Sequence, residues 1–121
     1  MNLPTPAADL IKLSLRGLGQ EPDYETPQGV GFVLVHESGL TLFLLFRAVE
    51  IKALFRRVSR LRIALYEDDP DGNKITHFVE LMKLPRGPHD MQFLLLFTPK
   101  VVAMIRAIAY LRNAGGLVGN D

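Results

Sequence analysis

The sequence predicts an α+β domain: a mostly antiparallel five-stranded sheet with helices on both faces, in the order α-β-β-α-β-β-β-α. Three observations lead there. Segments with helical spacing of apolar residues alternate with short apolar or alternating runs of strand type. Turn-forming sequences separate them. Some strands are apolar on both sides, which asks for cover on both faces of the sheet. At 121 residues the chain has the size of a single domain, expected over 1–121 with a helix at 6–18, an acidic loop at 19–28, a core at 29–114 and a frayed tail at 115–121.

Thr5-Pro6 resembles a cap followed by proline in the first helical turn. Leu10, Ile11, Ser14, Leu15 and Leu18 then recur at helical spacing on one side, Asp9, Lys12 and Arg16 on the other, and Gly17 and Gly19 end the element. Glu21, Asp23 and Glu25 make the following loop acidic. Val30–Val35 and Leu40–Phe46 flank His36-Glu37-Ser38-Gly39 as a hairpin. A competing reading makes 39–61 one long helix, but the short all-apolar run at 42–46 favours the hairpin.

A second helix is expected next, with Ala48, Ile51, Leu54, Phe55 and Val58 on one arc and Lys52, Arg56, Arg57 and Arg60 on the other. Leu61–Glu67 and Ile75–Leu84 read as strands around the turn sequence Asp68-Asp69-Pro70-Asp71-Gly72-Asn73. The favoured register sets Leu61 opposite Leu81, Ile63 opposite Val79, Leu65 opposite His77, and Arg62 opposite Glu80 on the other face. Met91–Phe97 reads as a fifth strand. Thr98-Pro99 opens a last helix carrying Val101, Met104, Ile105, Ile108 and Leu111, ended by Gly115-Gly116.

This order of elements resembles that of roadblock- and longin-type domains over most of the chain. The resemblance implies a dimerising scaffold or regulatory module.

Composition excludes several chemistries. The chain has no cysteine, so disulfides, thiolate catalysis and Cys-type zinc sites are ruled out. That absence suits a reducing cytoplasm. Met1-Asn2-Leu3-Pro4 lacks the basic and apolar regions of a secretory signal, and no unbroken apolar run is longer than Leu42 to Phe46, which falls far short of a membrane span. No membrane partner is expected. A net charge of +1 gives no global bias toward nucleic acid.

Local charge is more informative. Lys52, Arg56 and Arg60 stack at i, i+4 and i+8 with no acid four residues before any of them. Such a line of like charge costs helix stability and points to a docking face for an acidic partner, with Arg57 beside it. Glu50 and the acids at 21–25 and 67–71 are the groups that could instead neutralise it. Nucleic acid is disfavoured because no exposed aromatics interleave with the arginines.

The acidic turn is not a calcium loop, since Phe78 stands where the bidentate glutamate belongs. It is similar to a turn in the glyoxalase and bleomycin-resistance family. Thr76 and His77, however, occupy the neighbourhood of that family's metal-binding or specificity-setting glutamate. His77, Arg62 and Glu80 are the candidates for a pocket with acid–base chemistry, although alternation puts His77 and Glu80 on opposite sides. The nucleophile-elbow, His-x3-His and phosphate-loop motifs are missing.

The surplus of apolar residues, with Phe32, Phe43, Phe46, Phe55, Phe93 and Phe97, fits either a subunit interface or complete burial, with an internal apolar pocket as a third option. The expectation is therefore a cytoplasmic, non-enzymatic interaction module, homodimeric, docking an acidic protein through Lys52, Arg56, Arg57 and Arg60. It needs no cofactor and no metal. The alternatives are a small-molecule binder or enzyme with an apolar pocket near His77, and a nucleic-acid-binding protein.

Overall fold

The computed structural model describes all residues except Ser38, Gly39, Asp69, Pro70 and 114–121. The side chains at 35–37, 40 and 108–113 also lie outside the description. The expected tail at 115–121 and the centres of two predicted turns therefore fall outside the described residues. Helix α1 (Thr5–Gly17) is followed by strands β1 (Tyr24–Thr26), β2 (Gly29–Glu37), β3 (Leu40–Ala53), β4 (Arg56–Asp68) and β5 (Lys74–Lys83), and helix α2 (Met91–Asn113) closes the chain. The strands form one antiparallel sheet in sequence order, β1-β2-β3-β4-β5. The α+β class and a five-stranded antiparallel sheet are as the sequence predicts, but the set of strands differs. Tyr24–Thr26, inside the expected acidic loop at 19–28, pairs with β2 as an edge strand, and Met91–Phe97 is not a strand.

Alternation decides which side of the sheet is buried. Val30 and Phe32 of β2, Leu42, Leu44, Phe46 and Ala48 of β3, and Leu61, Ile63 and Leu65 of β4 all point to one side. There they join Ala7, Leu10, Ile11 and Leu15 of α1 and Phe93, Phe97, Val101 and Met104 of α2 in a single core. Phe46 lies at its centre, edge-on to Phe32 at 5.8 Å and 5.4 Å from Phe97, which stacks on Phe93 at 5.0 Å. Both helices thus cover the same face, not one face each.

Three further expectations are corrected. The helix expected around 48–60 is instead the end of β3, a two-residue loop at Leu54-Phe55, and the start of β4, with Ala53 closing against Arg56. No capping residue precedes Ala48 and no glycine or proline ends the segment. Val49, Ile51 and Val58 are β-branched, and Ile51 pairs directly with Val58. The middle helix on which the roadblock and longin resemblance rests is therefore replaced by strand.

The strand expected at Met91–Phe97 is the first part of α2, because Asp90 caps it. Its Oδ1 accepts the Phe93 N–H at 3.1 Å and its Oδ2 the Arg86 N–H at 2.9 Å. Phe93, Phe97, Val101 and Met104 then recur at helical spacing straight through Pro99. In α1 the cap position is Pro4, with no side-chain cap from Thr5.

The β4–β5 register is shifted by one residue from the expected pairing. Leu61 faces Met82, Ile63 faces Glu80, Leu65 faces Phe78 and Arg62 faces Leu81. Each alternation of β5 mixes apolar and polar residues, Phe78 and Met82 with Glu80 on one side and Ile75, Val79 and Leu81 with His77 on the other, so sequence alone does not choose between them. Met82 and Leu84 reaching the core, and an ion pair from Glu80 to Lys100 of α2, fix the choice. A bulge at His77 then restores the alternate phase toward Thr76.

Candidate functional site

With both helices on one side, no described element covers the other side of the sheet. Its residues follow from register: Gly29, Gly31 and Val33 of β2, Phe43, Leu45, Arg47 and Val49 of β3, Arg60, Arg62, Ala64 and Tyr66 of β4, and Val79, Leu81 and Lys83 of β5. Arg47 stands directly opposite Arg62, and Arg60 directly opposite Lys83. Like charges placed opposite one another oppose the pairing that brings them together. A basic strip thus crosses three strands, flanked by Phe43, Leu45, Tyr66, Val79 and Leu81.

Neutralisation of this strip is slight. No salt bridge among the described residues reaches Arg47, Arg60 or Arg62. Arg62 donates to the Tyr66 hydroxyl at 2.7 Å and lies 5.9 Å over its ring, while Arg60 donates to the Ser59 carbonyl at 2.9 Å. The Tyr66 ring is in turn 5.8 Å from Phe43, over which the Lys74 ammonium sits at 5.4 Å. Cations resting on aromatic faces keep their charge available to a further partner.

At the β1–β2 edge the face is concave. Gly29 and Gly31 present no side chain, and the Tyr24 ring folds over Gly31. The result is a hollow of about 390 Å³ lined by Tyr24, Thr26, Gln28, Gly29, Leu45 and Arg47. Burial pushes the Tyr24 hydroxyl pKa up, with Arg47 opposing that and Tyr66 adding to it. A carboxylate entering the hollow would meet the Arg47 guanidinium, which is suited to two parallel hydrogen bonds.

The residues singled out in the sequence do not share one site. Arg60 belongs to the strip. Lys52, Arg56 and Arg57 stand at the tip of the β3–β4 hairpin, with Lys52 opposite Arg57 and Arg56 opposite Ala53. Glu50 pairs with Arg57 at 3.1 Å. The 21–25 acids turn instead to α1, where Glu21 meets Arg16 at 3.2 Å and Glu25 meets Lys12 at 3.1 Å.

The expected pocket group is likewise divided. His77, in the β5 bulge, has its Nε2 2.8 Å from Glu67 Oε1. Arg62 is on the open face and Glu80 on the helix face, tied to Lys100. The hollow nearest β5 is lined instead by Met82, Leu84, Phe93, Leu96 and Lys100; none of the three lines it, and Glu80 reaches it only through its ion pair with Lys100. Among the described residues no cluster of three or more His, Cys, Asp or Glu side chains has metal-binding geometry, and no helix is long and apolar enough to cross a membrane. Comparison with protein-family models, with curated proteins and with solved structures finds no match.

Arg47 and the glycine hollow are not among the residues the sequence singles out. Their signal is the alternation Phe43-x-Leu45-x-Arg47-x-Val49, which places one arginine in an apolar strand face.

Proposed function

We propose that this protein is a non-enzymatic, cytoplasmic interaction module that docks an acidic, partly apolar protein segment on the open face of its sheet. One observation carries the reading: Arg47, Arg60 and Arg62 lie without an acidic partner among the described residues, on an uncovered sheet face otherwise lined by apolar and aromatic side chains. Such a face offers apolar area for affinity and available guanidinium groups for selection. The basic docking surface expected on a helix is thereby reassigned to a sheet, with Arg60 common to both.

Charge also argues against two copies stacking face to face here, because the strip would oppose itself. Self-association falls more naturally to β5, a ten-residue edge strand with Ile75, Phe78, Val79 and Leu81 exposed. A dimer formed there leaves the open face free. Light scattering checks it: a monomeric mass at all salt concentrations removes the dimer from the reading.

The docking test uses a labelled synthetic peptide of alternating Glu and Leu or Phe residues, followed by fluorescence anisotropy. Saturable binding that weakens with salt, and that an Arg47→Glu/Arg62→Glu variant loses, is the expected result. Absence of binding, or binding unchanged by the variant, refutes the proposal. Tighter binding of a single-stranded oligonucleotide than of the peptide would favour the nucleic-acid alternative.

A further inference from the structure

The hairpin of β3 and β4 outruns the core. The last buried pair is Ala48 with Leu61, and β3 continues to Ala53, roughly 17 Å further at strand rise. At its end Leu54 is 90% exposed and Phe55 fully exposed (101%). Two large apolar side chains at the tip of a projecting hairpin are free on all sides. Leu54 also holds φ at 50°, a left-handed conformation that glycine or asparagine adopts at lower cost. The tip therefore keeps a bulky apolar residue where the backbone favours a small one.

Immediately behind the tip lies a collar of cations. Lys52 and Arg57 form a cross-strand pair on the helix side of the sheet, where Glu50 compensates Arg57 at 3.1 Å and leaves Lys52 in excess, and Arg56, opposite Ala53, points to the open side. The collar therefore has charge on both faces of the hairpin. A protein surface would engage one face of a flat ribbon, whereas a lipid surface entered end-on surrounds the ribbon and meets both. Apolar residues leading and cations following at one depth match the layering of acyl chains beneath anionic headgroups.

We propose that this tip is a membrane-contact site, with Leu54 and Phe55 entering an anionic bilayer surface and Lys52, Arg56 and Arg57 lying among its headgroups. The contact is peripheral and needs no spanning helix. A criterion based on the length of apolar runs does not register two residues at a turn, which is why no membrane partner is expected from the sequence. The site uses none of Arg47, Arg60 and Arg62, so it stands or falls separately from docking on the open face.

The chain has no tryptophan, so Phe55→Trp supplies a single fluorescent reporter at the tip. This variant is mixed with phosphatidylcholine vesicles, with and without phosphatidylserine, at low and high salt. A blue shift with phosphatidylserine vesicles at low salt, little or none with phosphatidylcholine alone, and reversal by salt are expected. Adding Lys52→Glu and Arg56→Glu to the reporter variant is expected to weaken partition by about ten-fold or more. Leu13→Trp on α1, at a position 59% exposed, is the control and is expected not to shift. No shift of the tip reporter with anionic vesicles, or an equal shift of the α1 control, overturns the proposal. A shift of the tip reporter with the acidic peptide but not with vesicles also overturns it, in favour of a protein cleft.

Discussion

At Gly29 an added methyl would lie 2.3 Å from the Phe46 carbonyl oxygen, inside the β2–β3 ladder itself. At Gly31 it would lie 2.2 Å from the Tyr24 ring, a side chain able to swing into solvent. The two substitutions are therefore expected to differ. Gly29→Ala is expected to destabilise by about 1–3 kcal/mol because backbone must move, and Gly31→Ala by less. Gly31→Ala is also expected to lower the Tyr24 hydroxyl pKa, since the ring loses the burial that raises it. Chemical denaturation and tyrosine absorbance titration read the two effects.

Asp90 supports a second residue-level prediction. The backbone N–H groups of Arg86 and Phe93 hold its carboxyl below the usual carboxylate range. A pKa depressed in the folded state contributes stability above the unfolded pKa, and that contribution is lost as pH falls through the folded value. Wild type is thus expected to melt above Asp90→Asn at neutral pH, with the gap closing in acid. A gap independent of pH would refute this.

At the scale of elements, the β3–β4 hairpin is the part least legible in the sequence. Ala48, Ile51, Leu54, Phe55 and Val58 fit a helical arc, and the same stretch also fits two strands meeting at a tight loop. What separates the two is partnership: Leu40–Ala53 gains a continuous antiparallel neighbour in Arg56–Asp68, and that pairing is invisible to local periodicity. The first hairpin and α1 are legible because turn residues and a 3.6-residue repeat agree there. In α2, the Asp90 cap outweighs an apolar run that reads equally as a buried strand. Of the candidate site, Arg60 and Arg62 stand out in the sequence, but in a helical line and a pocket group that the fold does not form. Arg47 does not stand out at all, since which arginines share a face depends on register.

The loop itself is testable. The first of its two residues, Leu54, has positive φ, the position where a type II′ turn takes glycine. Relief of the left-handed penalty outweighs the entropy glycine adds to the unfolded chain. Leu54→Gly is therefore expected to stabilise by about 0.5–1 kcal/mol, measured by thermal unfolding. Loss of stability would mean that Leu54 packs against something in the folded protein.

For the whole molecule, the one-sided placement of the helices and the charge of the open face belong together. A sheet face left bare must be kept from self-association, and the Arg47–Arg62 and Arg60–Lys83 oppositions do so at a cost in stability. Reversing one charge separates that cost from binding. Arg47→Glu places a carboxylate directly opposite Arg62, turning a repulsive cross-strand pair into an attractive one, and is expected to raise stability by about 0.2–1 kcal/mol. The same change puts an acid at the mouth of the hollow, where an acidic segment would dock, and is expected to weaken peptide binding. Salt is expected to raise the melting temperature of wild type more than that of the variant, because screening relieves repulsion only where it remains. A variant both more stable and poorer at binding would identify the arginine strip as retained for recognition. A variant that loses stability would show that Arg47 is held in place by contacts stronger than its repulsion from Arg62.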